Sequence, residues 1–303
     1  MIPALLGISI SVFMLIHLIP GDPISVMLGR VSDPEVLAAV RSQYGLDRPL
    51  ATQYFIWLGN VLQGNLGYSI SNGAPVMDQI AERLPATLYL LAGGLAVALV
   101  LAAPIGILAA AKRNSWVDLG GTTLSLIFMS IPSFWLAILL ILLLAVHFGW
   151  LPATGYVPPQ EDLIGFVKSL IMPSLALGVS EAGFIARLLR SSMLDALHQD
   201  YVTVARAKGV RERRVLYRHA LPNALIPVIT VVAIEVGYLL GGAIIIERVF
   251  AYPGMGLLTI TAISTRDYPL IQGTILVFAV FFLFINLLTD LLYAVIDPRI
   301  KYG

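Results

Sequence analysis

The chain has 303 residues, 58% of them hydrophobic and 12% charged, with a formal net charge of +1. Soluble domains are about a quarter charged, so this composition excludes an ordinary water-soluble domain and indicates an integral membrane protein. The near-zero charge leaves no electrostatic footprint for nucleic acid, and the lack of cysteine excludes disulfides, thiolate metal sites, cysteine nucleophiles and S-acylation.

Six apolar runs are long enough, or nearly so, to cross about 30 Å of hydrocarbon as helices. They cover 2–20, 86–111, 119–148, 169–189, 224–246 and 270–296. The first has no basic n-region. Pro20, Gly21, Asp22 and Pro23 follow it in place of a small-residue cleavage site, so it reads as a membrane helix and not as a signal peptide.

Residues 21–85 form a segment outside the bilayer. A helix is expected from Asp33 to Tyr44, with Ser32 or Asp33 as N-cap and Pro34 in the first turn. A turn follows around Gly45 and Pro49. The stretch ATQYFIWLGNVLQG then has helical spacing through Tyr54, Trp57, Leu58 and Val61, and NLGYSISNGAPV carries turn residues. So short a segment cannot bury a large core alone, and it is expected to pack on the outer ends of the helices. Its acids, Asp22, Asp33, Glu35, Asp47, Asp78 and Glu82, either dock a binding protein or form a solvated surface.

The second apolar run places Gly94, Ala98, Ala102, Gly106 and Ala110 at every fourth position; the fifth repeats the device with Ala233, Gly237 and Gly241. Small stripes let helix backbones approach closely in lipid. They serve either static packing or a face that lines a pathway. Three acids fall in or near the fourth, fifth and sixth runs: Glu181, Glu235 and Asp290. Intramembrane acids are costly and are functional candidates by default. Each either lines a pathway or makes a local hydrogen bond, with Arg187 and Arg190 near Glu181 and Asn286 one turn before Asp290. His17 and His147 lie near outer helix ends; they either make interfacial hydrogen bonds or, without other ligands beside them, mark a metal pathway, since imidazole suits nickel.

Six crossings put both chain ends on one side. The loops 112–118 and 187–223, with the tail from 297, hold twelve of the nineteen Lys and Arg. The longer opposite loops hold the other seven, so the first set is expected to be cytoplasmic. Its centre is DYVTVARAKGVRERRVLYRHALPNALIP, starting at Asp200. From Ser191, Leu194, Leu197, Tyr201, Val204 and Ala205 share a helical face. Gly209 interrupts, and a second helix is expected from Val210 to Ala220, with Pro222 in the first turn of the next membrane helix. On physics alone, this helix–elbow–helix could be a headgroup anchor, a docking element for a soluble partner, or a piece of folded core.

Gly209 followed after nine residues by His219, Ala220, Leu221 and Pro222 resembles the EAA loop of bacterial ABC importer permeases. That pattern reads Glu-Ala-Ala, three residues, Gly, nine residues, an apolar residue, any residue, Leu-Pro. Here Thr203, Val204 and Ala205 fill the first three places, so only the last alanine matches, and His219 fills the apolar place. The wording YVTVARAKG…RHALPNALIPV is similar instead to the dipeptide/oligopeptide/nickel class of these permeases. So are LIPGDP, YGLDRPLATQY, GNLGYS, RLPATLYL, IPSFWLAILL, ERVFAYPGMG, RDYPLIQG and DPRIKYG, in that order along nearly the whole chain. Relatives of that class carry a short basic stretch before helix one. This chain opens at Met1, Ile2 and Pro3, so either its start is truncated or its topology relies on later loops.

The resemblance implies an all-α membrane protein of the type I ABC importer permease fold, with six transmembrane helices. Residues 1–20 would be the first helix, 21–85 an extracytoplasmic segment, and 86–297 a five-helix core containing a cytoplasmic coupling loop at 191–222. It implies a non-catalytic subunit of the bacterial inner membrane, both termini cytoplasmic, importing short peptides. Its partners would be a second homologous permease, two ABC ATPases that bind ATP and Mg, and an extracytoplasmic substrate-binding protein. By position, Ala205, Gly209, Leu221 and Pro222 match the coupling pattern, and Arg206, Ala207 and Lys208 belong to the class-specific version. Glu235, Asp290, Gly237 and Gly241 are candidates for the pathway or for helix contacts. The chain itself has no G-x-x-x-x-G-K-[ST] to cradle phosphate. Nickel chelates, glutathione and oligosaccharides are alternative cargoes for similar permeases. An ion-coupled secondary transporter using Glu235 and Asp290 is the rival mechanism. An intramembrane enzyme is disfavoured, because H-E-x-x-H, G-x-S-x-G and G-x-G-D aspartate pairs are absent.

Overall fold

A computed structural model describes residues 2–18 and 47–296. The expected helix at Asp33–Tyr44, the residues Pro20 to Pro23 and the tail from 297 lie outside the described residues. Regular structure among the described residues is helical: α1 (Ile2–Leu18), α2 (Leu50–Leu62), α3 (Val76–Ala111), α4 (Trp116–Ser130) and α5 (Ser133–Leu140), which continues as a π-helical stretch Ile141–His147. Then follow α6 (Leu163–Leu197), α7 (Asp200–Ala207), α8 (Glu212–Arg214), a π-helical stretch Val215–Ala220, α9 (Leu221–Val249), α10 (Met255–Ser264) and α11 (Tyr268–Ile296).

Local chemistry explains several boundaries. Ser115 caps α4 by accepting from the Asp118 amide, and Asp162 caps α6 by accepting from that of Ile164 at 2.9 Å. The third apolar run, expected as one continuous helix, is broken. Ile131 adopts an extended conformation because Pro132 follows it, and the two limbs diverge by 95°. Pro85, Pro104 and Pro173 instead sit inside helices. The second membrane helix therefore starts at Val76 and not near residue 86, and α6 overruns its apolar run at both ends. Among the described residues, four helices are long and apolar enough to cross a membrane, Val76–Ala111, Leu163–Leu197, Glu212–Val249 and Tyr268–Thr289, or five if the bent pair is one span.

The chain divides into two compact units. The first contains the residues up to Pro85 and Gly254–Phe284. Its core is Val76, Ile80, Met255, Ala262, Leu270 and Ile271. Phe13 of α1 packs edge-on against Tyr54 of α2, the Ser9 and Tyr54 hydroxyls lie 2.8 Å apart, and Gln272 donates to the Val12 carbonyl. The segment 47–85 is thus stabilised by burial against α10 and α11, which supply the apolar area it lacks alone.

The second unit holds Ala86–Pro253 and the residues from Ile285. Helix α6 is its axis, with α4, α5 and α9 packed on it. Helix α3 joins it through the small stripe. A Cβ at Gly178 would collide with the Gly94 carbonyl, and one at Gly106 would lie 2.8 Å from the Ala186 carbonyl. The shared core is Ala98, Ala102, Ile107, Ala110, Ile185, Ala186, Leu189, Met193 and Ala196, closed by Ala220, Ala224 and Val228 from the 212–249 rod.

Candidate coupling site

The basic segment after α6 folds as an elbow. Helix α7 ends in a Schellman motif: Gly209 N–H donates to the Arg206 carbonyl at 2.9 Å and Val210 N–H to the Ala205 carbonyl at 3.2 Å. Gly209 takes a φ of +73°, a left-handed conformation that glycine adopts without cost. A Cβ there would meet open space, so backbone conformation and not crowding demands the glycine. Ala205 is buried with Val202 and Val215, and Leu197 and Val210 close this small core. It clamps the two arms of the elbow together.

Arg206, Ala207, Lys208 and Gly209 are exposed on the outside of the bend. Arg206 reaches across it and donates to both carboxylate oxygens of Glu212, at 3.1 and 2.7 Å. Both side chains are solvent-exposed, so the pair contributes no more than about 1 kcal/mol. Glu212 was not singled out from the sequence, because a six-residue spacing across a glycine matches no helical period.

The second arm differs from the expected short helix ending at Ala220. Glu212–Arg214, Val215–Ala220 and Leu221–Val249 run on as one 38-residue rod. Pro222 lacks the N–H that an α-helix needs there, and the wider π-helical turn just before it accommodates the ring. Leu221 is half-buried against the α6 core, Pro222 is exposed, and Asn223 satisfies the His219 carbonyl at 2.8 Å. The elbow is therefore continuous with a helix long and apolar enough to cross a membrane.

The intramembrane acids pair in an unexpected way. Arg190 forms a bidentate fork with Asp118, at 2.5 and 2.7 Å, and so does not serve Glu181. Glu181 of α6 lies instead within hydrogen-bonding reach of Glu235 of α9. Glu181 also lines a cavity of about 260 Å³ at the α4–α5 break, with Ser130, Ser133, Ser180 and Tyr238. Gly237 is half-buried and Gly241 faces open space, while Gly242 abuts Leu177. The Asp290 side chain lies outside the described residues. A further acid escaped the sequence reading: Glu247 is fully buried and accepts from the Thr87 hydroxyl at 2.6 Å, tying α9 to α3. Among the described residues, no three His, Asp or Glu side chains are grouped closely enough to hold a metal ion; His147 is exposed and packs on Phe148.

Residues 102–302 match the family model "Binding-protein-dependent transport system inner membrane component", and residues 1–91 match the N-terminal model of the same components. A putative peptide transport system permease protein of Brucella abortus is 42% identical, over 99% of this chain and 96% of its own length. A putative peptide permease of Brucella suis is 45% identical, over 98% and 95%. The glutathione transport system permease protein GsiC of Pectobacterium atrosepticum is 43% identical, over 100% and 96%. Among solved structures, a chain of the inward-facing MetNI methionine ABC transporter aligns with a TM-score of 0.61 at 20% identity, covering 73% of this chain and 97% of that one. A chain of an amino acid ABC transporter aligns at 0.51 and 14% identity, covering 74% and 94%. These two likenesses concern the fold alone. The chain belongs to the family of binding-protein-dependent transport system inner membrane components, the permeases of ABC importers.

Proposed function

We propose that this chain is one of two paired permease subunits in an ATP-driven importer of short peptides, and that the elbow at Gly209 receives the push of separate ATPase subunits. Those subunits bind ATP and Mg; this chain catalyses nothing. A substrate-binding protein delivers cargo from outside. Six crossings, with α1 and the bent α4–α5 pair each counted as one, place both termini and the elbow in the cytoplasm. The coupling residues are Ala205, Arg206, Ala207, Lys208, Gly209, Leu221 and Pro222. The cavity beside Glu181 and Glu235 belongs to the cargo pathway, and the open face at Gly241 is where the second permease packs. Peptides are preferred as cargo because the relatives at 42–45% identity carry peptide-permease names; glutathione, itself a short peptide, fits the same reading.

The observation that carries this reading is the unbroken rod from Glu212 to Val249, hinged at a left-handed glycine and clamped by Val215. Replacing Gly209 with valine puts a β-branched residue at positive φ, a strained conformation. With the complete transporter in proteoliposomes, Gly209→Val is expected to lower ATP-dependent peptide uptake at least about tenfold while membrane insertion persists. Undiminished uptake would remove the coupling assignment. Uptake that survives ATP depletion and fails with an uncoupler would make the chain an ion-coupled transporter instead.

A further inference from the structure

Arg211, Arg213, Arg214, Tyr217 and Arg218 surround one open hollow of about 450 Å³. Four guanidinium groups line it and no carboxylate does. Among the described residues none of these arginines has an ion-pair partner, and the one nearby acid, Glu212, is already engaged by Arg206. Like charges held this close repel one another unless anions sit among them.

Position along the rod narrows the choice of anion. Arg218 precedes Leu221 by three residues and Arg211 by ten. At about 1.5 Å per residue, the guanidinium-bearing turns lie roughly 5 to 15 Å from the start of the apolar α9. The headgroup layer is about 5–7 Å deep on each face, and arginine side chains are long enough to reach into it. Tyr217 is exposed beside them, and tyrosine is a residue type enriched at that depth. A basic cluster next to a membrane helix attracts anionic lipid.

We propose that this hollow binds the phosphate of an anionic phospholipid of the inner leaflet, phosphatidylglycerol or cardiolipin, and so ties the base of the 212–249 rod to the membrane surface. The inference rests on the cytoplasmic placement of the elbow given under the proposed function. The lipid contacts the rod at its foot and leaves the exposed bend at Arg206–Gly209 free for the ATPase.

The test uses the complete transporter, released from detergent into a native mass spectrometer after incubation with phosphatidylglycerol, phosphatidylcholine or inorganic phosphate. The wild type is expected to retain phosphatidylglycerol in preference to phosphatidylcholine, and millimolar phosphate is expected not to displace it. In Arg214→Gln/Arg218→Gln the preference should fall about thirtyfold, roughly fivefold for each arginine at a membrane surface. Equal retention of the two lipids by the wild type overturns the proposal without recourse to any variant. An unchanged preference in the variant overturns it too, as does displacement by inorganic phosphate, which would mark a site for the free ion. Loss of the ATPase subunits from the variant with lipid preference intact would assign the arginines to the ATPase instead. Gly209→Val is expected to keep its lipid preference while losing uptake, so failure of one reading is separable from failure of the other.

Discussion

Four hydrogen bonds converge on the buried carboxylate of Asp267, between α10 and α11. Ser69 donates through its hydroxyl at 2.5 Å, Ser71 through its hydroxyl and amide at 2.9 and 3.1 Å, and Leu270 through its amide at 3.3 Å. Burial pushes the carboxyl up, but the donation from Ser69 and Ser71 outweighs it and holds the group below its ordinary value. A lowered folded value means that the stabilisation is fully present above about pH 4, where an unfolded aspartate ionises, and is lost only as pH falls below that. Asp267→Asn would remove the charge and replace one accepting oxygen with an NH2 group, which cannot accept from the Ser69 and Ser71 donors. Hydrogen bonds to a charged acceptor contribute about 1.5–3 kcal/mol. Amide hydrogen exchange across residues 65–76 should therefore quicken by roughly ten- to a hundredfold in the variant. Wild-type protection, corrected for intrinsic rates, should stay flat between pH 7 and 5. Protection in Asp267→Asn equal to that of the wild type would show that Asp267 is not the tie. None of this was legible beforehand. The motif holding Asp267 was visible, but its partners lie nearly two hundred residues away, and hydrogen bonds of that range leave no periodic trace.

At the scale of whole elements, the small stripe of α3 was readable because lipid-facing helices gain little from burying more apolar surface and approach through small residues instead. Its partner on α6 carries the same signal, since Ser174, Gly178, Ala182 and Ala186 also recur at every fourth position. Proline was ambiguous in a physical sense. Pro132 breaks a helix because Ile131 before it is driven to an extended conformation, whereas Pro85, Pro104 and Pro173 lie inside helices. The same residue gives opposite outcomes according to whether neighbouring helices satisfy the freed carbonyls, which a single chain of letters does not encode. The glycines allow a direct contrast. Gly178→Ala would drive a methyl into the Gly94 carbonyl and within 3.0 Å of Val97, an overpacking cost of about 1–3 kcal/mol. Gly241→Ala meets open space and gains helix propensity. Thermal unfolding of the detergent-solubilised permease should show a clear loss for the first and none for the second. A Gly178→Ala variant as stable as wild type would mean that α3 and α6 do not touch at that point.

Over the whole chain, the basic residues and the bent helix pair together determine how many times the protein crosses the bilayer. Each limb of the α4–α5 pair has 15 residues, about 22 Å of helix, too short for about 30 Å of hydrocarbon. Placed in series with a 95° change of direction, the limbs reach about 30 Å end to end, which suffices for one crossing. If the pair instead re-entered, Lys112 and Gln160 would lie on the same side. The lack of native cysteine makes this measurable with single introduced thiols. Gln63, Lys112, Gln160 and Lys208 are all exposed in the fold, so a cysteine at each is within reach of a membrane-impermeant maleimide. Gln63→Cys and Gln160→Cys are expected to label in intact cells, and Lys112→Cys and Lys208→Cys only after permeabilisation. Labelling of Gln160→Cys from the same side as Lys112→Cys would make the bent pair re-entrant. It would also reverse the side on which α6 emerges, and so carry the elbow away from any cytoplasmic motor. The orientation of Lys208 is thus the property on which coupling depends. The excess of Lys and Arg in the 187–223 loop is the expected cause of a cytoplasmic orientation, through the membrane potential and the anionic inner leaflet.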